Sequence, residues 1–585
     1  MSQNEALTQH ALLVAWGEFA RQMGITQQID NLKLHQKHYR HAPQTKVLEF
    51  LVATLGGLEH LKEISRSAHP LDQDLTLARA WGQAVWADYS GVSRTLKSLT
   101  LAEVQEIIQV LDASSQMFIA AEVNLALWFE KRLVYDGDLT GIAVSKSSQT
   151  YPGVAYGHMD DQIRLGYQAA VVSFRSPTYQ RLWLSVEHHP GNLVSASAAE
   201  SMVQVTEKRT GVHPWRRTDL LAQRLQSVND YGLTLQQKLV ERQEKVTQAI
   251  DELEQVDQEL TDCQTHLSAL ELEYQLNHRL ERPTSRLSQA RKKLVTFQKR
   301  RQRRMKVLGK AQQVVEWTQR LIQRLQAEQR LLQERLERFE QENVANLQPV
   351  QAVFRLDAGF GTYENMALLI EMGYEVYTKL QNWKVLHSLL KQVPSEAVWT
   401  PAGAQATMFA WEMRQVESFC YPLDVALERF TDGERVKHCA LLHFGPTPVT
   451  QYLPAWFTFY TGRQTIEAGI KESKQVFYLH RLKVRSEAAI VLQENLILFA
   501  ANLIRWANSW LAEGYGDALL NVEHLGIKEL VRVAAHTSAE VVRNSEGKLL
   551  MFSEQSVFAG KVLKLPIAAY QLPLPLGKSY DFLNV

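Results

Sequence analysis

The sequence predicts an α/β protein interrupted by a long helical hairpin, and three observations carry that expectation. Short, apolar, β-rich segments separated by turn signals occur between residues 127 and 190 and return at 351–395, where they alternate with helical patterns. Residues 232–343 hold one extended helical pattern, broken only at "RPTS", 282–285. The first 128 residues carry apolar side chains at three- and four-residue steps, as in "KVLEFLVATLGGLEHLKEI". A chain of 585 residues is long enough for three or four domains.

Taken in order, residues 1–128 read as a helical domain. Within it, "YSGVSRTLKSLTLAEVQEIIQVL" has the form of a helix-turn-helix with Ser93, Arg94 and Lys97 facing DNA, or of a plain helical bundle with solvated basic residues. From 129 to 231, "LWFEKRLVYDGDLTGIAV", "LGYQAAVVSF" and "QRLWLSVEHH" read as three successive strands, and "SASAAESMVQVTEKRTG" as a helix. Residues 232–345 form the hairpin. Val246, Ile250, Leu253, Val256, Leu260, Cys263, Leu267, Leu270 and Tyr274 follow coiled-coil spacing with one irregularity. Pro283 marks the tip, and Leu287, Ala290, Leu294 and Phe297 open the returning arm. Each arm should be on the order of 70 Å long. Residues 346–395 read as strand, helix, strand and helix, 396–457 as a β-rich insertion, 458–512 as helical, and 513–585 as a C-terminal domain with a helix and short strands.

Composition narrows the classes. The chain is 45% hydrophobic and 22% charged, with a formal net charge of +1, so any nucleic-acid surface must be a local patch. The hairpin supplies one. Residues 235–281 hold 11 acidic and 4 basic side chains, and residues 282–340 hold 17 basic and 5 acidic. The arms should attract across the seam, yet "RKKLVTFQKRRQRRMKVLGK" has ten basic residues in twenty. Arg300, Arg301, Arg303 and Arg304 are therefore candidates for tracking phosphates, although Arg301 and Arg304 occupy seam positions. The alternative is a solvated coiled coil that only spaces or dimerises. Three cysteines, Cys263, Cys420 and Cys439, fit no zinc pattern and no disulfide framework. The N-terminal stretch lacks a basic region with a cleavage site, and no apolar run reaches about 18 residues without a charge. These features predict a cytoplasmic protein without a membrane partner.

Acidic residues then define a chemistry. "LVYDGDLTG" puts Asp136 and Asp138 on one face of a strand, because side chains alternate. "VFRLDAGFG" puts Asp357 at the end of another. In "YTGRQTIEAGIKESK", Tyr460, Arg463, Glu467 and Lys474 fall on one stripe of a helix. A carboxylate ending a buried strand is costly without a partner. Converging carboxylates repel, and a hard divalent cation resolves that. Two such ions can hold the attacking and leaving oxygens of a phosphodiester in line. Arg463 and Lys474 would then face phosphates, with Tyr460 donating a hydrogen bond. Singly, an Asp before Gly is usually a turn former and an Arg/Glu/Lys helix face a solvated network. The ordered set favours a metal site.

The motif Y-x2-R-x3-E-x6-K, realised as Tyr460, Arg463, Glu467 and Lys474, resembles the signature around the third acid of bacterial insertion-sequence DDE transposases. "RLDAGFGT" resembles their second-acid segment and "YDGDLTG" their first, so the likeness covers roughly 130–230 and 350–510. It implies a ribonuclease-H-like mixed sheet flanked by helices. It implies cut-and-paste transposition with two Mg²⁺ (or Mn²⁺) ions held by Asp136 or Asp138, Asp357 and Glu467. The Asp-x-Thr form of the first acid points to Asp138, and the hydrophobic-Asp-Gly form to Asp136. Tyr460, Arg463, Lys471 and Lys474 would bind DNA. Trp399 or Trp411, in the β-rich insertion before the third acid, would stack on a flipped base or serve as core. The implied partners are double-stranded DNA, as terminal inverted repeats and as target, and a second subunit in a homodimer; the implied location is the bacterial nucleoid. The coiled-coil hairpin is not part of the resemblance. The competing classes are a transposase-derived architectural protein without catalysis, a coiled-coil scaffold, and a structure-specific nuclease.

Overall fold

The computed structural model describes residues 7–36, 40–145, 151–159, 162–417, 419–433, 435–512, 519–544 and 547–567. Parts of the expected C-terminal domain, 513–518, 545–546 and 568–585, lie outside these residues. The chain divides into two compact units, 1–215 with 346–585, and 216–345.

The first unit begins with strand β1 (Leu7–Thr8) and helices α1 (Ala11–Gln22), α2 (Ile25–Asp30), α3 (Pro43–Leu55), α4 (Glu63–Arg66), α5 (Leu75–Ala80), α6 (Tyr89–Ser98) and α7 (Leu101–Glu130). Asp88 caps α6 through the Gly91 amide, and Thr100 and Glu103 form a capping box at the start of α7. Here the expectation for "LWFEKRLVYDGD" changes. Its first four residues finish α7, Lys131 turns the chain in the left-handed region (φ 59°), and the strand starts only at Leu133.

The sheet follows: β2 (Leu133–Ala143), β3 (Ala155–Met159), β4 (Gln162–Phe174), β5 (Leu182–Pro190) and helix α8 (Ser195–Thr210). After the hairpin come β6 (Ala352–Leu356), α11 (Tyr363–Glu371), β7 (Glu375–Lys379) and α12 (Trp383–Lys391), the hairpin arms themselves being α9 (Thr218–Leu276) and α10 (Arg286–Ala345). Strands β8 (Thr400–Pro401), β9 (Ala406–Arg414), β10 (Leu423–Asp432) and β11 (Arg435–Phe444) complete one mixed sheet of order β3-β4-β2-β6-β7-β11-β10-β9-β8, with β5 also paired to β4. β6 lies parallel to β2 and β7 parallel to β6, whereas β4 and β5 run antiparallel. The segment expected as a separate β-rich insertion is therefore a continuation of the main sheet, joined where Leu441–Phe444 pairs antiparallel with Val376–Lys379.

Residues 453–511 form three helices: α13 (Leu453–Thr461), α14 (Gln464–Gln475) and α15 (Glu487–Leu511). α15 is the one described helix long and apolar enough to span a membrane, but 83% of that stretch is buried inside the protein. Its Trp506 stacks on Phe118 of α7 with ring centroids 4.4 Å apart. Helix α16 (Ile527–Arg532) and strands β12 (Ala539–Asn544), β13 (Gly547–Phe552) and β14 (Val562–Leu565) close the chain. β1 pairs with β12, so the N- and C-terminal segments, expected as separate domains, share one four-stranded sheet and one apolar core with α15.

The second unit consists of α9 and α10, 59 and 60 residues long and joined across the segment that contains Pro283. At 1.5 Å per residue each arm spans about 90 Å, longer than expected because α9 starts at Thr218 rather than 232. Buried Ala249, not Ile250, occupies the seam, and Ile250 is 37% exposed. That substitution removes the irregularity: Leu235, Ala249, Val256, Cys263 and Leu270 are all buried at multiples of seven.

Candidate active site

Asp136 and Asp138 share a face of β2, but their surroundings differ. Asp136 is 2% exposed and receives a bidentate pair of hydrogen bonds from Arg355 of the neighbouring strand β6, both 2.7 Å. The third arm of that guanidinium donates to the Phe459 carbonyl at 2.7 Å. Burial pushes the Asp136 carboxyl up and Arg355 pulls it back. This aspartate is spent on holding β2, β6 and α13 together.

Asp138 sits two residues further along, where the acids accumulate. Its Oδ2 accepts from Arg463 Nη1 at 3.1 Å, and Arg463 Nη2 donates to Glu467 at 2.5 Å. Asp357, at the end of β6, shares the field: Arg463 works against the rise that burial imposes on its carboxyl, the Glu467 charge adds to that rise, and the charges of Asp357 and Glu467 both act on Asp138. Burial, aided by Asp357 and Glu467 against Arg463, lifts the Asp138 carboxyl to about 6. Burial likewise raises Asp357, whose Oδ1 is buried without a hydrogen-bond partner. Glu467 occupies the first turn of α14, where the helix dipole favours an anion, and its side chain is 52% exposed.

The surrounding backbone fixes these positions. Gly361 lies so close to β7 that a Cβ would fall 1.8 Å from the Lys379 carbonyl oxygen, and Thr378 Oγ1 donates to the Asp357 carbonyl at 2.7 Å. At Gly462, between α13 and α14, a Cβ would come within 2.6 Å of Arg355 Nη1. The glycine lets Arg355 reach Phe459, and α13 passes into α14 there with Gly462 and Arg463 both in the right-handed helical region. Tyr460 is drawn inward there and stays beside Arg463. It is 5% exposed, and its hydroxyl donates to the Leu356 carbonyl at 3.1 Å, pinning the strand end before Asp357 rather than facing solvent. Lys471 is exposed and Lys474 half-buried on α14, four and seven residues beyond Glu467 and hence on its side of the helix.

An arginine cluster that the sequence reading passed over anchors α14. Arg181 and Arg505 both reach Glu472, at 3.4 and 3.1 Å, and Arg181 also donates to the Thr465 carbonyl. Arg355 was missed as well. Its signal was visible: a lone arginine in the apolar run "AVFRL" demands a buried partner.

Two features suit a hard divalent cation: the orphaned Asp357 Oδ1, and an all-carboxylate donor set already compensated by one cation. Among the described residues, however, no three acidic, histidine or cysteine side chains stand close enough to hold an ion. The Arg463 guanidinium bridges Asp138 and Glu467 instead.

The remaining candidates lie elsewhere. Trp411 is on β9, four strands from β6, or about 19 Å across the sheet. Arg414 covers its ring at 4.6 Å, and Arg429 covers that of Trp399 at 3.9 Å. Arg94 is exposed on α6, beside a cleft it shares with Arg40, His41 and Lys46. In the hairpin, Arg300 pairs with Glu259 at 2.9 Å, Arg301 with Asp257 at 2.6 Å, and Arg304 with Glu252. Arg303 is exposed.

No model of a known protein family matches the chain, and no curated protein matches it in sequence.

Proposed function

We propose that the chain is a DDE transposase that cuts DNA at transposon ends and joins them to target DNA, using Mg²⁺ or Mn²⁺. The observation that carries this reading is the gathering of Asp138, Asp357 and Glu467, 219 and 110 residues apart in sequence, around one guanidinium. The order β5-β4-β2-β6-β7, with β4 antiparallel to β2 and β6 and β7 parallel, supports a ribonuclease-H-like core. Asp138 is the first acid in this reading and Asp136 a structural partner of Arg355.

When bound, the metal would activate water and steady the leaving oxygen of the phosphodiester. Asp138, Asp357 and Glu467 would hold it. Arg463 would swing from the carboxylates to the DNA phosphate, a move that exposed Glu467 can follow. Lys471 and Lys474 would flank the strand. DNA would be gripped by two subunits.

The test uses plasmid DNA carrying the sequences that flank the gene. Glu467→Gln should abolish Mg²⁺-dependent end cleavage and leave end binding largely intact. Full cleavage by that variant would remove Glu467 from the metal site. One observation favours a second reading, a transposase-derived DNA-binding protein without catalysis: Arg463 already neutralises Asp138 and Glu467. Metal-dependent nicking of any DNA by the wild-type chain would exclude it.

A further inference from the structure

Beside the α13–α14 junction lies a cavity of about 980 Å³, at the upper end of the range for small-molecule sites. Arg355, Gly462 and Thr465 form one wall; none of the acids of the candidate active site lines it.

Its lining has two chemistries. Two arginines with loose acidic partners line it. Arg132 lies over the Phe459 ring at 4.9 Å, with Glu375 at 3.5 Å and Thr447 at 3.4 Å. Arg175 is half exposed, with Glu130 at 3.7 Å. Two loosely held guanidinia of this kind are suited to the paired oxygens of a phosphate. The lining also holds Tyr452, 63% exposed, with Pro448 and Pro454. Trp456, 1% exposed, also lines the cavity.

We propose that this cavity binds a nucleoside 5′-monophosphate unit. The base lies against Tyr452, and the phosphate rests on Arg132 and Arg175. The unit is either a free nucleotide or a nucleotide within a strand. The proposal rests on the cavity alone, so it stands or falls separately from the metal chemistry of Glu467.

Calorimetric titration of the full chain with dAMP, deoxyadenosine and inorganic phosphate tests it. dAMP should bind saturably and at least about tenfold more tightly than either fragment. Arg175→Gln should weaken dAMP about tenfold while leaving deoxyadenosine unchanged, and Tyr452→Ala should weaken both. Both side chains are exposed enough for their loss to leave the fold intact. Competition with oligo(dA) then separates the sources: displacement of dAMP assigns the site to a strand, and persistence of dAMP assigns it to the free nucleotide. dAMP binding no tighter than that of phosphate or deoxyadenosine, or binding unchanged in both variants, overturns the proposal.

Discussion

The centre of the sheet and the seam of the hairpin both pair arginines with carboxylates, yet they use the pair differently. In the sheet, Arg355 and Asp136 are 3% and 2% exposed and satisfy each other in bidentate geometry. In the hairpin, Arg301 and Asp257 meet at a similar distance but are 43% and 40% exposed. Water competes for the second pair and is excluded from the first. A buried pair is therefore a commitment that cannot be half undone, whereas an exposed pair is exchangeable with solvent, salt or another anion. Arg463 stands between these extremes. It is itself 12% exposed, with one carboxylate partner similarly covered and the other, Glu467, half open to water. That intermediate state is what the proposed exchange of this guanidinium for a metal ion requires.

The largest effect should come from breaking the commitment. Arg355→Met leaves Asp136 charged, buried and unpaired, at a cost of about 3–5 kcal/mol. Denaturant unfolding followed by tryptophan fluorescence measures it. Adding Asp136→Asn to the same chain should restore most of the loss, because the cost lies in the orphaned charge rather than in a missing attraction. If the double variant is no more stable than the single one, the pair does more than neutralise itself.

Asp138→Asn should behave in the opposite sense. The Asp138 carboxyl rises from 3.8 to about 6 on folding, so the folded chain binds the extra proton between those values. Stability from this group therefore falls as pH rises from about 4 to about 6, and above 6 the folded chain carries an ill-placed charge. Removing the charge should leave the metal-free melting temperature at pH 7.5 unchanged or raised. In the wild-type chain Mn²⁺ should raise that temperature at pH 7.5 and much less at pH 5, where Asp138 is protonated. The asparagine variant should lose the metal response at both. A Mn²⁺ response that survives in Asp138→Asn would move the ion away from this carboxylate.

The contrast between Asp136 and Asp138 also marks how far sequence carries. Strand alternation put both on one face, correctly. It had no means to separate them, because the separation is made by Arg355, 219 residues away, through the parallel register of Asp136 with Arg355. Local patterns served well wherever the deciding interaction was local: the strands at 165–174 and 182–189, helix α8, and the seven-residue repeat of the hairpin. They failed where a distant partner decides. The segment 400–444 read as β-rich, but nothing in it announces that β11 pairs with β7. The stripe of Tyr460, Arg463, Glu467 and Lys474 was legible as spacing. The need for a glycine at 462 was not, since it answers to the Arg355 side chain behind it.

The smallest effect belongs to the hairpin, and it tells whether its arginines are spent. Arg301→Gln gives up a contact that water and salt already weaken, so the unfolding midpoint should scarcely move. What differs between Arg301 and Arg303 is availability. Arg301 must leave Asp257 to meet a phosphate, and each exchange of one anion for another releases fewer counterions than a fresh contact does. Arg303 is exposed on the same turn. If the hairpin carries DNA, Arg303→Gln should lower the slope of log affinity against log salt by about 0.9, and Arg301→Gln by distinctly less. Fluorescence anisotropy with one duplex over a salt series reads both slopes. Equal losses would mean that the seam arginines abandon their acids on binding, and no loss from either would make the hairpin a spacer.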